Sequence, residues 1–233
     1  MQLFIGQING NSGLLTDEEA RHFSKVLRGK TGDEINITDG KGKMAKALVR
    51  SVSNHSVELE LLTVNEDFEK RDYKLHIAIA PTKNIDRTEF FIEKAVETGI
   101  DKISFLKSFH SERKNINIDR ISKIVQSAMK QSLKAYLPEI QDLTKFSDFV
   151  KQDFDEIKLI AHCDNDFERA DFHSIAKQKN NYLILIGPEG DFSKDEIKLA
   201  EDNGFSGISL GHQRFRTETA ALNAVFGVDW INR

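Results

Sequence analysis

The sequence predicts an α/β protein: a C-terminal domain built on a parallel β-sheet, preceded by a small N-terminal β-barrel domain. Two observations carry this. From residue 73 onward, apolar runs of strand length alternate with amphipathic stretches of helix length, the pattern of a parallel sheet covered on both faces. Before residue 68 the apolar runs are short, alternate with polar residues and are joined by turn signals, the pattern of antiparallel strands. The boundaries read as 1–68 and 73–233, with the polar stretch "NEDFEKRD" at 65–72 as linker. A chain of 233 residues is long enough for both.

In the first part, "TDEEARHFSKVLRGK" opens with Thr16 and Glu19 at capping-box spacing and predicts a helix. "DEINITDGKGKMAKALVRSVSNHSVELELLTV" predicts strand, Asp39-Gly40 turn, strand, turn, strand. In the second part, "YKLHIAIA" predicts a strand and "IDRTEFFIEKAVET" a helix stopped by Gly99. "KISFLKS" is a strand, and "DRISKIVQSAMKQSLKAY" a helix ending before Pro138. "KLIAHC" and "YLILI" are strands. Ser193 and Glu196 form a capping box for the helix "KDEIKLAEDN", closed by Gly204. "GISL" is a strand and "TETAALNAVFGVDWI" the last helix, with Thr217 as N-cap.

Hydrophobic content of 39% and charged content of 30% describe a globular chain able to bury a core. No run of 18 apolar residues predicts a membrane span, and the N-terminus lacks the basic-then-apolar order of a signal peptide. The one cysteine, Cys163, allows no intrachain disulfide, suits the cytoplasm and is expected to be a buried thiol. A net charge of −4 argues against a generic nucleic-acid binder. Its distribution says more: residues 20–50 carry a net +5 and 102–134 a net +6, whereas 139–171 carry −6. Two basic segments in an acidic chain suggest a localised polyanion site; two solvated helix faces are the alternative.

Two glycine loops stand out. "YLILIGPEGDF" runs from a buried strand through Gly187, Pro188, Glu189 and Gly190 to a helix. Ligands of open α/β sheets bind at such carboxyl ends of strands. A phosphate fits poorly, because no Lys-Ser/Thr follows the last glycine and because Glu189 and Asp191 would repel a triphosphate. The first strand of the second domain leads into "PTKNIDR", without the glycines of a dinucleotide fold, which disfavours a nucleotide-dependent oxidoreductase. A second loop, "LGHQRFRTETAAL", leaves another strand at Leu210-Gly211 and enters a helix, with Arg216 as a fixed cation. Two such loops after neighbouring strands could wall one pocket.

Together, "LIGPEGDFSKDEI" and "LGHQRFRTETAAL" resemble the 16S rRNA (uracil-N3) methyltransferase E family of the SPOUT superfamily of knotted methyltransferases. The resemblance runs the whole chain: "HFSKVLRGKTGDEINITDGKG" looks like the family's PUA-like RNA-binding barrel, and "EFFIEKAVETGI", "SER" at 111–113 and "QSLKAYLPEI" fall in the expected order. It implies a C-terminal SPOUT α/β domain with a trefoil knot whose loops hold S-adenosyl-L-methionine. By motif, the cofactor residues are Leu185, Ile186, Gly187, Pro188, Glu189 and Gly190 in the first loop, and Leu210, Gly211, Phe215, Arg216, Thr217, Thr219 and Ala220 in the second. His162 either lines the pocket or is a structural histidine.

The implied reaction is methyl transfer to N3 of one uridine in 16S rRNA of the small ribosomal subunit. Arg216 would stabilise the pyrimidine anion, and Glu218 or a water would accept the N3 proton. No metal is implied, nor any membrane. His22, Lys25, Arg28, Lys83, Arg87, Arg113 and Lys114 are the candidate RNA contacts. The last helix is apolar on several faces, which with the resemblance predicts a homodimer. Three positions depart from the family pattern: Asp191 where it reads glycine, Gln213 where it reads arginine (with Arg214 next), and Thr98 where it reads leucine. The competing reading is a ribosome-assembly RNA-binding protein with a vestigial cofactor pocket.

Overall fold

The computed structural model describes residues 2–233 and divides into two compact units: Met1–Arg71 with Gln126–Leu137, and Asp72–Val125 with Pro138–Arg233. The first unit is therefore not contiguous, since a stretch from the middle of the chain packs with its N-terminal part.

The first unit holds six strands: β1 (Leu3–Ile5), β2 (Gln7–Asn9), β3 (Ser12–Thr16), β4 (Glu34–Thr38), β5 (Met44–Val52) and β6 (Ser56–Asn65). Their order in the sheet is β1-β4-β5-β6-β3-β2. β1 and β2 lie at opposite ends of that order, yet only Gly6 separates them in the chain. One residue spans about 3.8 Å between Cα atoms, so the sheet must curl until its ends meet. Gly6 sits at the closure: a Cβ there would lie 2.7 Å from the Leu14 carbonyl oxygen and 2.8 Å from Ile37 and Leu15 methyls. Phe4, Leu15, Ile37, Val49, Val57 and Leu59 fill the interior from alternate strand positions, joined by Phe23 from the turn that follows β3.

Helix α1 (Asp17–Arg21) is one turn long and continues into a π-helical turn, His22–Val26. The expected capping box is absent. Thr16 makes no side-chain cap bond, and Asp17 takes φ 46°. Glu19 is instead turned to Lys130, 2.5 Å away, and to the Ile5 N–H. Residues 126–137 close the unit: the Ala135 carbonyl accepts from Gly42 N–H and Thr38 Oγ1, and Tyr136 Oη donates to Asp67.

The second unit holds seven strands, β7 (Leu75–Ile79), β8 (Lys102–Lys107), β9 (Glu139–Lys145), β10 (Ile157–Ala161), β11 (Ala170–Asp171), β12 (Tyr182–Ile186) and β13 (Ser206–Ser209). All pair in parallel, in the order β11-β13-β10-β12-β7-β8-β9. The helices are α2 (Ile85–Thr98), α4 (Phe146–Phe149), α5 (Phe172–Ile175), α6 (Lys194–Asp202) and α7 (Thr217–Ile231), together with the first eight residues of α3 (Ile118–Gln131), the rest of which belongs to the first unit. α4 and α6 pack on one sheet face with Ala78, Ile160, Leu183 and Leu185. α7 packs on β7, β12 and α2. The continuous apolar strands follow from cover on both faces. Helix α3 ends at Gln131, well before Pro138, because Leu133 turns into the left-handed region at φ 56°.

His76 lies in the middle of this sheet, 2% exposed. Ser104 Oγ donates to Gln141 Oε1 at 2.8 Å, which leaves it to accept from His76 Nε2 at 2.7 Å. Burial, with Lys102 nearby, pushes the imidazole down from 6.5 to about 3. Between those values the unfolded chain binds a proton that the folded chain refuses. Stability is complete above pH 6.5 and declines as pH falls below it, by about 1.4 kcal/mol per pH unit for one such group. Urea unfolding at pH 7.5 and pH 5.0 should therefore show wild type losing about 2 kcal/mol more than His76→Gln. Equal losses would mean that another group carries the acid sensitivity.

Candidate active site

Because all seven strands run in parallel, their carboxyl ends share one edge. The strands preceding the two glycine loops, β12 and β13, are not immediate neighbours as the sequence suggested. β10 lies between them, with Ala161 paired to Ile186 on one side and to Ile208 on the other. Three chain segments, starting at His162, Gly187 and Leu210, therefore leave the edge side by side, with His162 in the middle.

In the first loop Leu185 and Ile186 are buried in β12, Gly187 and Pro188 are buried, and Glu189 and Gly190 are exposed. Glu189 Oε1 accepts the Lys83 N–H at 2.9 Å. Gly190 lets the segment after β8 approach, since a Cβ there would lie 3.0 Å from His110 Cβ. In the second loop Leu210 is buried, Gly211 has φ +135° and Phe215 is half-buried. Arg216, exposed and extended, is the N-cap of α7, and its carbonyl accepts the Ala220 N–H. Thr217, expected as the cap, is already the first helical residue and is buried; Thr219 is exposed and Ala220 half-buried. Asn223 Nδ2 reaches back to the Leu210 carbonyl at 3.3 Å.

Two buried polar groups here lack partners. His162 is 4% exposed, and neither ring nitrogen is hydrogen-bonded. Burial holds its imidazole below the usual histidine value, so it is neutral at pH 7. Glu218 is buried in the first turn of α7; Oε1 lies 3.9 Å from Arg87 Nε, and Oε2 has no partner. A buried group left unpaired costs about 1–3 kcal/mol, so such groups mark places where a ligand can supply the missing bond.

Asp191 ties the edge together. Its Oδ2 accepts the Cys163 N–H at 2.7 Å, its Oδ1 the Phe192 N–H at 2.8 Å, and its carbonyl oxygen lies 3.0 Å from His110 Nδ1. It thus joins the segments after β8, β10 and β12. It does so at φ 63°, a region that favours glycine. Cys163, expected to be buried, is exposed, because it lies beyond the end of β10 and its backbone, not its thiol, is engaged. In the sequence Asp191 stands out as a departure from glycine and as a charge unfavourable to a triphosphate, and nothing marks His110; only the fold brings the two together.

The basic candidates behave differently from one another. Arg113 donates to the carbonyls of Thr82 and Lys83, Lys83 pairs with Glu112 at 2.7 Å, and Arg87 faces Glu218. Lys83, Asn84, Arg87, Glu112 and Glu189 line a cavity of about 400 Å³. Lys114 is exposed. In the first unit, His22 is half-buried in the π-helical turn, whereas Lys25 and Arg28 are exposed. No helix among the described residues is long and apolar enough to cross a membrane.

Asp191→Gly gives a test of the brace. Relief of the left-handed strain, about 1–2 kcal/mol, offsets the loss of charge-assisted bonds worth about 1.5–3 kcal/mol. The melting temperature should stay within a few degrees of wild type, while amide exchange at Cys163 speeds up at least tenfold. Unchanged exchange would show that the segments hold without the carboxylate.

The chain matches an RNA methyltransferase domain over residues 69–227 and an RNA methyltransferase PUA domain over residues 15–62. It is 30% identical over 228 residues to the ribosomal RNA small subunit methyltransferase E of Mesomycoplasma hyopneumoniae, covering 95% of each chain. Among solved structures, a probable rRNA-methyltransferase from Porphyromonas gingivalis superposes with a TM-score of 0.89 at 36% identity, over 100% of this chain and 98% of that one. The ribosomal RNA small subunit methyltransferase E of Neisseria gonorrhoeae, bound to S-adenosyl methionine, superposes with a TM-score of 0.84 at 25% identity, over 100% and 98%.

Proposed function

Because the chain belongs to the ribosomal RNA small subunit methyltransferase E family, we propose that it transfers a methyl group from S-adenosyl-L-methionine to N3 of one uridine in 16S rRNA. The observation that carries this is the sheet edge, where two glycine loops flank neutral His162 and the α7 N-terminus presents buried Glu218. The donor set fits the cofactor: backbone groups of Leu185, Ile186 and Leu210, the half-buried apolar ring of Phe215 and an unpaired imidazole. Gly187, Pro188, Glu189, Gly190, Gly211, Arg216, Thr217, Thr219 and Ala220 complete the assigned pocket. The loops after β12 and β13 are those of a trefoil knot; the return of the chain from β13 to pack α7 on β7 and β12 supports that reading.

Bound S-adenosylmethionine supplies an electrophilic methyl group. The protein's own task is the uracil, whose imide N–H is a poor nucleophile until its proton leaves. Glu218 Oε2, buried and unpaired, takes the N3 proton, with Arg87 on the other oxygen of the same carboxylate. Arg216, exposed at the N-terminus of α7, holds the negative charge that develops on the pyrimidine, and the helix terminus adds its partial positive charge. His22, Lys25, Arg28 and Lys114 contact RNA phosphates. The reaction takes place in the cytoplasm.

Mass spectrometry of 16S rRNA from a strain lacking the gene should show the loss of one methyluridine, restored by the wild-type gene. Glu218→Gln should lower kcat by about 10²–10⁴ with cofactor affinity within threefold of wild type. An rRNA unchanged by the deletion would overturn the function, and a variant with full kcat would remove Glu218 from the mechanism.

The protein acts as a homodimer. Phe226 and Trp230, one turn apart on α7, are 49% and 72% exposed, whereas Ala221, Leu222, Ala224, Val225 and Val228 of the same helix are buried. Multi-angle light scattering at micromolar concentration should give twice the chain mass, and Trp230→Glu should halve it. An active wild-type monomer would rule the dimer out.

A further inference from the structure

At 77%, Phe109 is the most exposed large apolar side chain among the described residues. It follows β8, on the sheet edge that carries the loops after β10, β12 and β13. Its segment is rigidly held. The Phe109 N–H donates to Glu196 Oε1 at 2.8 Å, and the Ser108 N–H donates to Ser111 Oγ at 3.0 Å. Arg113 fixes the far end of the segment on two carbonyls. His110 bonds the Asp191 carbonyl, rests against Gly190 and stands edge-on to Phe109 with ring centroids 4.9 Å apart. An aromatic ring is thus presented to water from a hydrogen-bonded backbone, with His110, its neighbour, seated on the first glycine loop.

The chemistry of the substrate says what belongs on it. Uridine N3 carries the proton used in base pairing, so a base methylated there must be unpaired and taken out of its stack. The lost stacking has to be replaced, and an aromatic face does this for any base. The segment favours RNA over a protein partner: residues 102–125 of the same unit carry a net +4, with Lys107 and Lys114 exposed before and after Phe109 in the chain. Resting on the methyl-transfer reading of this site, we propose that Phe109, positioned by His110 on Gly190 and Asp191, is the stacking platform for the unpaired RNA base offered for methylation.

The test uses small ribosomal subunits from a strain lacking the gene, with the full-length protein as enzyme. Phe109→Ala should lower kcat/KM for the subunits by about tenfold or more, leaving cofactor Kd within twofold and the oligomeric state unchanged. Phe109→Trp should retain activity, and Phe109→Leu, apolar but without a π-face, should fall with alanine. Active wild type with an equally active Phe109→Ala overturns the platform alone, as does an alanine variant that loses cofactor binding or changes oligomeric state. A leucine variant as active as wild type would reduce the role to apolar contact. A wild type without turnover overturns the functional reading, and the platform with it.

Discussion

Ala161 is paired with Ile186 on one side and with Ile208 on the other, and the candidate site depends on that double pairing. It makes three strands end level, so three loops emerge together. The pairing is enforced by burial. Ile160 and Leu185 belong to the core beneath α4 and α6. A slip of one residue in β10 would turn every side chain of the strand to the opposite face. Leu159 and Ile160 are both essentially inaccessible to water, so the slipped register would have to repack both layers at once. The position of His162 at the edge is therefore a consequence of core packing.

Above that edge, rigidity and unmet polar demand coexist. Asp191 accepts two backbone N–H groups, while the next residue, Phe192, is buried and packs on Phe146 with centroids 5.1 Å apart. One residue braces the loops to one another, and its neighbour anchors them in the core. The Ser193–Glu196 capping box starts α6 directly afterwards, and the same Glu196 holds the Phe109 N–H. Against this fixed frame, His162 and Glu218 Oε2 are left without partners. A floppy site could rotate such groups into water. A braced one holds them in place, which leaves their missing hydrogen bonds for a ligand to supply.

What could be read from the sequence follows from how local each signal is. The α6 capping box, the α2 stop at Gly99 and the apolar β7 and β12 are set by neighbours in the chain, and all appear where the sequence places them. β9 went unread because "EIQDLTK" at the sheet edge has no apolar run, its pairing being supplied by β8. The Thr16 cap fails because Glu19, which a capping box would turn back, is drawn to Lys130, 111 residues away. The insertion of β10 between β12 and β13 is likewise long-range, and no local pattern encodes it. At the site, the two loop motifs were legible because they concentrate glycines after strands. The Asp191–His110 contact joins residues 81 positions apart and was not.

The basic residues divide by the work their charges already perform. Arg113 and Lys83 satisfy carbonyls and carboxylates of the protein itself, and Arg87 faces a buried glutamate. Arg113 sets geometry through two backbone carbonyls, whereas the Lys83–Glu112 pair lies exposed at the surface. Lys25, Arg28 and Lys114 are exposed, and among the described residues no ion pair or hydrogen bond engages their side chains. Cations of that kind interact with a polyanion by displacing its counterions, so their contribution weakens with salt. A net charge of −4 therefore does not describe the charge a polyanion would meet at any one of these cations. Which cations are already engaged within the protein depends on the fold, which is why the count of basic residues in a segment is a poor guide to which of them are left for a polyanion.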